Sequence, residues 1–585
     1  MLNARLYRTA WLVAGVAIIV AFLTLRSRPA PPEPTVPPAI QGSVVRDAAA
    51  DLEGRAPFRA PGSQGDGVAA DWMQRQLEQV QIPGLTTPAA RRVRRQEFSA
   101  RVGSDLVKMT NVYLVVPGPS GTGDNAGVVV VAPRDEPAGL TEGTSASALL
   151  VELARLTATT AHVRPFLFVS TTASTAGNAG MRWFLSRFSD FKIAAVVVLD
   201  APADGADGRV WVWSQGRDGR QALDLDHIAR AALARGGMAP VSRPGLLTQL
   251  SRMAIPQTFG DQGPAIADGV PAVTIAARPD TLPRPHALPT GEHLTLVGNA
   301  VMTLLGTLDQ VDRVDGPSAG IAVAGRELPG VMVRVVLLLL AVPLLVATVD
   351  GLVRLRRAGL RVRPGLRAVV VRCAPLLVGG TVLHLLGVAG MLPSLAAGAP
   401  ALPSATPFGS KGAFALGVSL ITAAIVWALW GRRPTRVPAT PAAQAAAGLL
   451  VLSLAIILTW ALHPTALLLI VPAAHAGLVA TSAPRRGQVA ALAVVAVLPL
   501  AVVTLSVGQQ IDRGPLFAAW YLVSTAGQGG RGALGPLFVV ATVAALWAMS
   551  TLVALRVRSG VLSAAPAPPA RRPRVPRRTR SGDAA

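Results

Sequence analysis

The chain has 585 residues, 51% of them hydrophobic, with 55 Lys and Arg against 32 Asp and Glu for a net charge of +23; its mean hydropathy is +0.46. That balance excludes an ordinary soluble globular protein, and the single cysteine, Cys373, excludes a disulfide-stapled scaffold. The basic excess does not point to nucleic acid, because the arginines cluster at the ends of apolar runs.

In chain order, residues 1–8 precede an apolar run that predicts a membrane helix over 9–25. Arg26 and Arg28 stand where a cleavage site would fall, and no A-x-A pattern is present, so the helix reads as an uncleaved signal-anchor. Residues 26–45 contain Ala30 to Pro38, APPEPTVPP, a Pro-rich spacer expected to be extended.

Between residues 46 and 315, helix and strand signals alternate. Helical periodicity runs over Gly67–Val80, Ser145–Leu156, Asn178–Phe188, Leu223–Arg235 and Glu292–Leu308. Short apolar, mostly β-branched runs predict strands at Asn111–Val116, Val128–Val131, Phe166–Ser170, Ile193–Leu199 and Ala272–Ala276. This alternation predicts an α/β domain, a mainly parallel sheet with helices on both faces. Ligand sites in such sheets lie at the carboxyl ends of strands, where Asp135 and Asp200 fall.

Further spans are expected at 330–353, 373–395, 412–430, 444–462, 464–483, 488–507 and 534–555, about eight in all with the anchor. Leu516–Thr525 is apolar but too short to cross, so it reads as interfacial or re-entrant. Arginines crowd the exits of every even-numbered span: Arg354 to Arg367, Arg432 to Arg436, Arg485 and Arg486, and the tail 556–585. The odd exits after spans three, five and seven hold almost none, which predicts a multi-pass plasma-membrane protein with both termini cytoplasmic and residues 28–328 extracytoplasmic. The tail is then a basic flank that can touch anionic lipid. His384, His475 and Trp460 are polar groups in or near spans, hence functional candidates by default. No Asp or Glu lies well inside a span, which weighs against an ion-coupled transporter with an accessory domain.

The α/β segment carries a resemblance over roughly residues 52–310. Gly54 to Leu77 contains an R-x-x-G-S opening, Arg59 to Ser63, ahead of a helix. Thr110-Asn111-Val112 with Pro117-Gly118, and Gly269-Val270-Pro271-Ala272-Val273, follow in the expected order. Together these resemble the zinc exopeptidase family, di-zinc enzymes of the bacterial leucyl and aminopeptidase-S type. The resemblance carries that family's metal residues over only in part. The first His ligand falls on Pro133, its companion Asp on Asp135, and the bridging carboxylate on Glu142. The Glu pair that supplies base and ligand falls at Ala173 and Ser174. The next ligand falls on Asp200, the family's S-D-H on Gly260-Asp261-Gln262, and the last His on His286.

Catalytic zinc needs about three protein ligands, a water and a base to take its proton. Losing an imidazole, a carboxylate and the base therefore implies a pseudo-peptidase without a retained cofactor. Zinc would be confined to a residual site of Asp135, Glu142, Asp200 and His286, and Asp261 and Gln262 would touch the ligand. Each acid also has a plain structural reading, Asp200 as a turn or helix cap, Asp135 and Glu142 as solvated loop acids. The partners implied are the lipid bilayer and a peptide, protein or envelope component on the outer face, with no nucleic acid. The alternative is a membrane-anchored zinc-dependent aminopeptidase with a rearranged site. One anchor, a degenerate exopeptidase-like domain and seven spans also resemble, in layout, the anchor-attachment subunit of eukaryotic GPI transamidase.

Overall fold

The computed structural model describes residues 3–34, 40–83, 93–102, 105–119, 126–136, 143–203, 209–281, 288–392, 408–431, 440–480 and 486–527. Its elements run α1 (Ala4–Phe22), α2 (Gly42–Arg55), α3 (Gln64–Glu78), β1 (Val93–Val102), β2 (Asp105–Val116), β3 (Gly127–Pro133), α4 (Gly143–Thr159), β4 (Phe166–Thr171), α5 (Ala179–Arg187), β5 (Ile193–Asp200), β6 (Arg209–Trp213), α6 (Leu223–Arg235), β7 (Ala239–Pro240), α7 (Leu246–Ala254), α8 (Gln262–Ala267), β8 (Ala272–Ala276) and α9 (Gly291–Gln310). After the short hairpin β9 (Ile321–Val323) and β10 (Arg326–Leu328) come α10 (Gly330–Arg357), α11 (Arg363–Val388), α12 (Ser410–Val426), α13 (Pro441–Leu462), α14 (Leu467–Ala480), α15 (Arg486–Gln510) and α16 (Pro515–Gly527).

One eight-stranded sheet, ordered β1-β2-β4-β3-β5-β8-β6-β7, organises the first half. The expected parallel pairing holds at the centre of the sheet, while its flanks join that centre antiparallel. β3 pairs parallel with β4 and β5, β5 with β8 and β6 with β7, but β1–β2, β2–β4 and β6–β8 are antiparallel. The reason is visible in β1, VRRQEFSARV, which alternates apolar with charged residues as a half-solvated flank does. β3, GVVVVAP, and β4, FLFVST, are buried at every position. Successive side chains point to opposite faces, so both faces of the sheet are covered here. Helices α2, α4, α6 and α9 pack on one another against the sheet, and α5 meets α8.

Six helices are long and apolar enough to cross a membrane among the described residues: Ala4–Phe22, Gly330–Arg357, Arg363–Val388, Ser410–Trp430, Ala442–Leu462 and Ala490–Gln510. The span expected at 464–483 is a shorter apolar helix, Pro464–Val479, broken at its start by a 3-10 turn at Pro464–Ala466. The span at 534–555 and the tail 556–585 lie outside the described residues. α16 is 13 residues, about 20 Å of helix and too short to cross.

Among the described residues, polar contacts join the two halves at three places. Arg26 and Glu327 exchange backbone hydrogen bonds (3.0 and 2.9 Å), so the chain enters and leaves the α/β domain at one point. Arg28 reinforces it with ion pairs to Glu327 (2.8 Å) and Asp224 (2.5 Å). The turn between α13 and α14 holds the end of α7: Thr465 Oγ1 donates to the Met253 carbonyl (2.7 Å), and His463 Nε2 sits 3.0 Å from the Ala254 carbonyl. Gln510, closing α15, donates to the Gln257 carbonyl (3.2 Å).

Two of the polar residues in spans are structural ties. His475 lies 2.7 Å from the Tyr7 hydroxyl and 2.9 Å from the Leu340 carbonyl, joining α14 to α1 and α10, and Trp460 Nε1 donates to the Arg334 carbonyl (3.0 Å).

Candidate functional site

β3 ends at Pro133 and delivers Arg134, Asp135 and Glu136 in succession, all at most 5% exposed. Burying three ionisable groups in a row is costly unless each finds a partner. Arg134 turns inward. Its Nε pairs with Asp66 Oδ1 (2.9 Å), while its other nitrogens donate to the Ser170 and Thr110 carbonyls (3.2 and 2.5 Å). Glu136 Oε1 meets Arg59 Nη2 at 2.6 Å, and Arg59 also donates to the Arg134 and Ala56 carbonyls.

The R-x-x-G-S opening supplies both partners. Arg59 is its first residue; Gly62, with φ +71, makes the turn and donates its N–H to Asp66 Oδ2 (3.0 Å). A Cβ on Gly62 would lie 2.0 Å from Val107 Cγ1, so only glycine fits.

Asp135 faces the loop after β4. Ala173 (φ +59) and Asn178 (φ +55) both adopt left-handed backbone there, rare outside glycine and a mark of a tightly determined turn. The turn aims four donors at one carboxylate. Ser174 N and Oγ reach Oδ1 (both 2.9 Å), and Thr175 N and Oγ1 reach Oδ2 (3.1 and 2.8 Å). Burial nevertheless pushes the Asp135 carboxyl above its ordinary range, against those hydrogen bonds.

Asp261 accepts from Thr171 Oγ1 (2.8 Å) and Asn178 Nδ2 (2.5 Å) and is pushed up to about 6, chiefly by burial. Arg217 donates to Asn178 Oδ1 and is held down at about 9 by burial, with Arg182 opposing its charge and Asp261, Asp280 and Tyr521 favouring it. Gln262 bonds Thr258, Thr274 and the Gln215 carbonyl. Asp200, last in β5, is held by Arg278 Nη2 at 2.9 Å, whose guanidinium also lies over the Trp213 ring.

The sequence-derived candidates thus fall into three groups. Asp135, Ser174 and Asp261 share one buried polar cluster, and the charge of Asp135 bears on Asp261. Gln262 adjoins it, while Asp200 is engaged by Arg278. Glu142 and His286 lie outside the described residues. Sequence reasoning passed over Arg59, Asp66, Arg134, Asn178 and Arg217. The dipeptide Arg134-Asp135 at a strand end was the one available signal, since an arginine there needs a buried acid. Among the described donors no zinc centre is assembled. No three His, Cys, Asp or Glu side chains among them come together, and both oxygens of Asp135 already accept protein N–H and O–H groups.

Asp261 makes stability pH-dependent. Its native carboxyl titrates near 6 against 3.8 ordinarily, so the folded state holds the proton more tightly than the unfolded chain. Stability is then greatest below about pH 4 as far as this group is concerned, and falls by on the order of 3 kcal/mol as pH rises through 6. Asp261→Asn should flatten that fall. Thermal unfolding of the purified chain at pH 4.5 and 7.5 checks it, and an unchanged difference would refute it.

No family model matches the chain, and no curated protein matches it either. Solved structures do resemble it. A zinc aminopeptidase from Bacillus subtilis aligns at 10% identity and a TM-score of 0.37, over 48% of this chain and 98% of that one. A glutaminyl cyclase from an Acidobacteriales bacterium aligns at 19% identity and 0.36, over 48% and 99%. A leucine aminopeptidase precursor from Bacteroides thetaiotaomicron aligns at 13% and 0.34, over 46% and 99%. These neighbours are similar to about half of this chain at low identity, and they assign it to no family.

Proposed function

We propose that this is a multi-pass plasma-membrane protein whose extracytoplasmic α/β domain, residues 46–315, binds a peptide, protein or envelope component without hydrolysing it. One observation carries the reading: the carboxylates at the end of β3 and the facing turn of α3 are engaged by the chain's own donors, Glu136 by Arg59, Asp135 by Ser174 and Thr175, and Asp66 by Arg134. Ser174, at the position that the sequence resemblance gives to a general base, donates to Asp135 and accepts no proton at neutral pH. The layout's resemblance to the anchor-attachment subunit of GPI transamidase points the same way, toward recognition.

The layout of α10 supports that orientation. Its first residue adjoins the α/β domain, and Arg354, Arg356 and Arg357 lie in its last turn, about 40 Å away. Arginine-rich ends face the cytoplasm, which supports a domain on the outer side.

The full chain in liposomes, assayed with aminoacyl-nitroanilides with and without added zinc, tests the reading. The expected result is no chelator-sensitive release. Stoichiometric zinc, with release abolished by Asp200→Ala or Glu142→Ala, would replace it with the rearranged metallo-aminopeptidase.

A further inference from the structure

Beside β6 lies a cleft that the strand-end cluster does not use. Trp211 and Trp213 line it with Arg243, with Gln249 and Arg252 of α7, and with Asp280, and it is open to solvent.

Three of its charged groups have unused hydrogen-bonding capacity. Asp280 is 1% exposed, and its Oδ1 accepts from Phe259 N (3.0 Å), but Oδ2 has no hydrogen-bond partner among the described residues. Arg243 pairs with Asp226 through Nε (2.5 Å), yet its Nη2 is buried without one. Among the described residues Arg252 hydrogen-bonds only Gln215 Oε1, at a weak 3.4 Å, and it is close enough for its charge to favour that of Asp280 without a direct ion pair. A buried carboxylate oxygen and two guanidinium groups left in this state favour a ligand that brings both a cationic donor and an anion. Indole walls suit the cationic end.

The cleft's position says where that ligand resides. α7, one of its walls, is pinned at its far end to the turn between α13 and α14 through Met253 and Ala254. At its near end Leu246 and Leu247 are 40% and 73% exposed, one helical turn from Gln249 and next to the lining residue Pro244. Exposed leucines on a helix fixed to membrane spans, beside Trp and Arg, are the composition of a bilayer interface.

We propose that this cleft binds the headgroup of an amine-bearing phospholipid, its phosphate against Arg243 and Arg252, its ammonium against Asp280, and its acyl chains leaving past Leu246 and Leu247. The assignment needs the apolar helices to sit in a bilayer. It does not depend on whether the strand-end cluster binds or cleaves a peptide.

The test uses the full chain in detergent with equimolar phosphatidylethanolamine, phosphatidylcholine and phosphatidylglycerol, reading the lipid retained by native mass spectrometry. Phosphatidylethanolamine should be retained about tenfold over phosphatidylglycerol. Asp280→Asn should abolish that preference, and Arg252→Gln should lower retention of all three. Leu247→Glu, at an exposed position that folding does not need, should weaken retention without changing the order. Equal retention of the three lipids by the wild type, an unchanged preference in Asp280→Asn, or undiminished retention in Leu247→Glu would overturn the proposal. Displacement of the lipid by equimolar glycerophosphoethanolamine would assign the site to a soluble zwitterion and overturn the lipid reading. Neither outcome bears on the peptidase assay, so the two readings fail separately.

Discussion

Arg134→Met should destabilise the α/β domain by about 3–5 kcal/mol, because it leaves Asp66 buried without its cation. Asp66 is 2% exposed, and the same change strips a donor from the carbonyls of Thr110 in β2 and Ser170 in β4. Arg134→Met with Asp66→Asn should recover part of the loss, since no isolated charge then remains, although the orphaned carbonyls keep their cost. The exposed pair Arg55–Asp51, whose side chains are 56% and 41% exposed, is the contrast. Arg55→Ala should cost no more than about 0.5 kcal/mol. Unfolding of the detergent-solubilised chain, followed by tryptophan fluorescence, reads all three. A loss under about 1 kcal/mol for Arg134→Met would mean that the guanidinium reaches water and the buried network is not as described.

The second large effect lies in the membrane half. Gly365, in the first turn of α11, approaches α13 so closely that a Cβ would stand 2.1 Å from the Ala443 carbonyl oxygen. Backbone is in the way, so Gly365→Val must push the two helices apart, at about 1–3 kcal/mol. Cys373 reports on that seam. It is 4% exposed and packs with Val369 and Ala447 between the same helices. As the sole cysteine it gives an unambiguous signal with a membrane-permeable maleimide. Labelling should be slow in the wild type and roughly ten- to a hundredfold faster in Gly365→Val, following the larger population of open seam. Gly417→Val is the control, because nothing lies within 4 Å of a Cβ there. Equal labelling rates in Gly365→Val and the wild type would show that the helices are not in contact at this point.

The elements that sequence reading placed best are those whose burial is uniform. α6 and β8 have the bounds expected of them, Leu223–Arg235 and Ala272–Ala276, because an apolar face at helical spacing and a run of buried β-branched residues each leave one reading open. β1 went unread because Arg94, Arg95, Glu97 and Arg101 dilute its apolar positions, and with it went the antiparallel flank. Gly103-Ser104, between β1 and β2, was the available hairpin signal. At the candidate site the acids could be found from their strand ends, but their partners could not. Arg59 meets Glu136 across 77 positions and Asp66 meets Arg134 across 68, and no local pattern encodes such a meeting. The middle residue of P-R-D, Arg134, organises the cluster.

The backbone bridge between Arg26 and Glu327 has a thermodynamic consequence for everything between them. As long as α1 stays packed on α10, the intervening chain is a closed loop even when it is unfolded, so its denatured ensemble loses end-to-end freedom as though crosslinked. For a loop of roughly 300 residues, the polymer estimate of that entropy is on the order of 5 kcal/mol in favour of folding. A chain whose only cysteine sits in the membrane half thereby obtains the effect of a disulfide from a pair of helices. Loosening α1 from α10 would lower the melting temperature of the α/β domain between them.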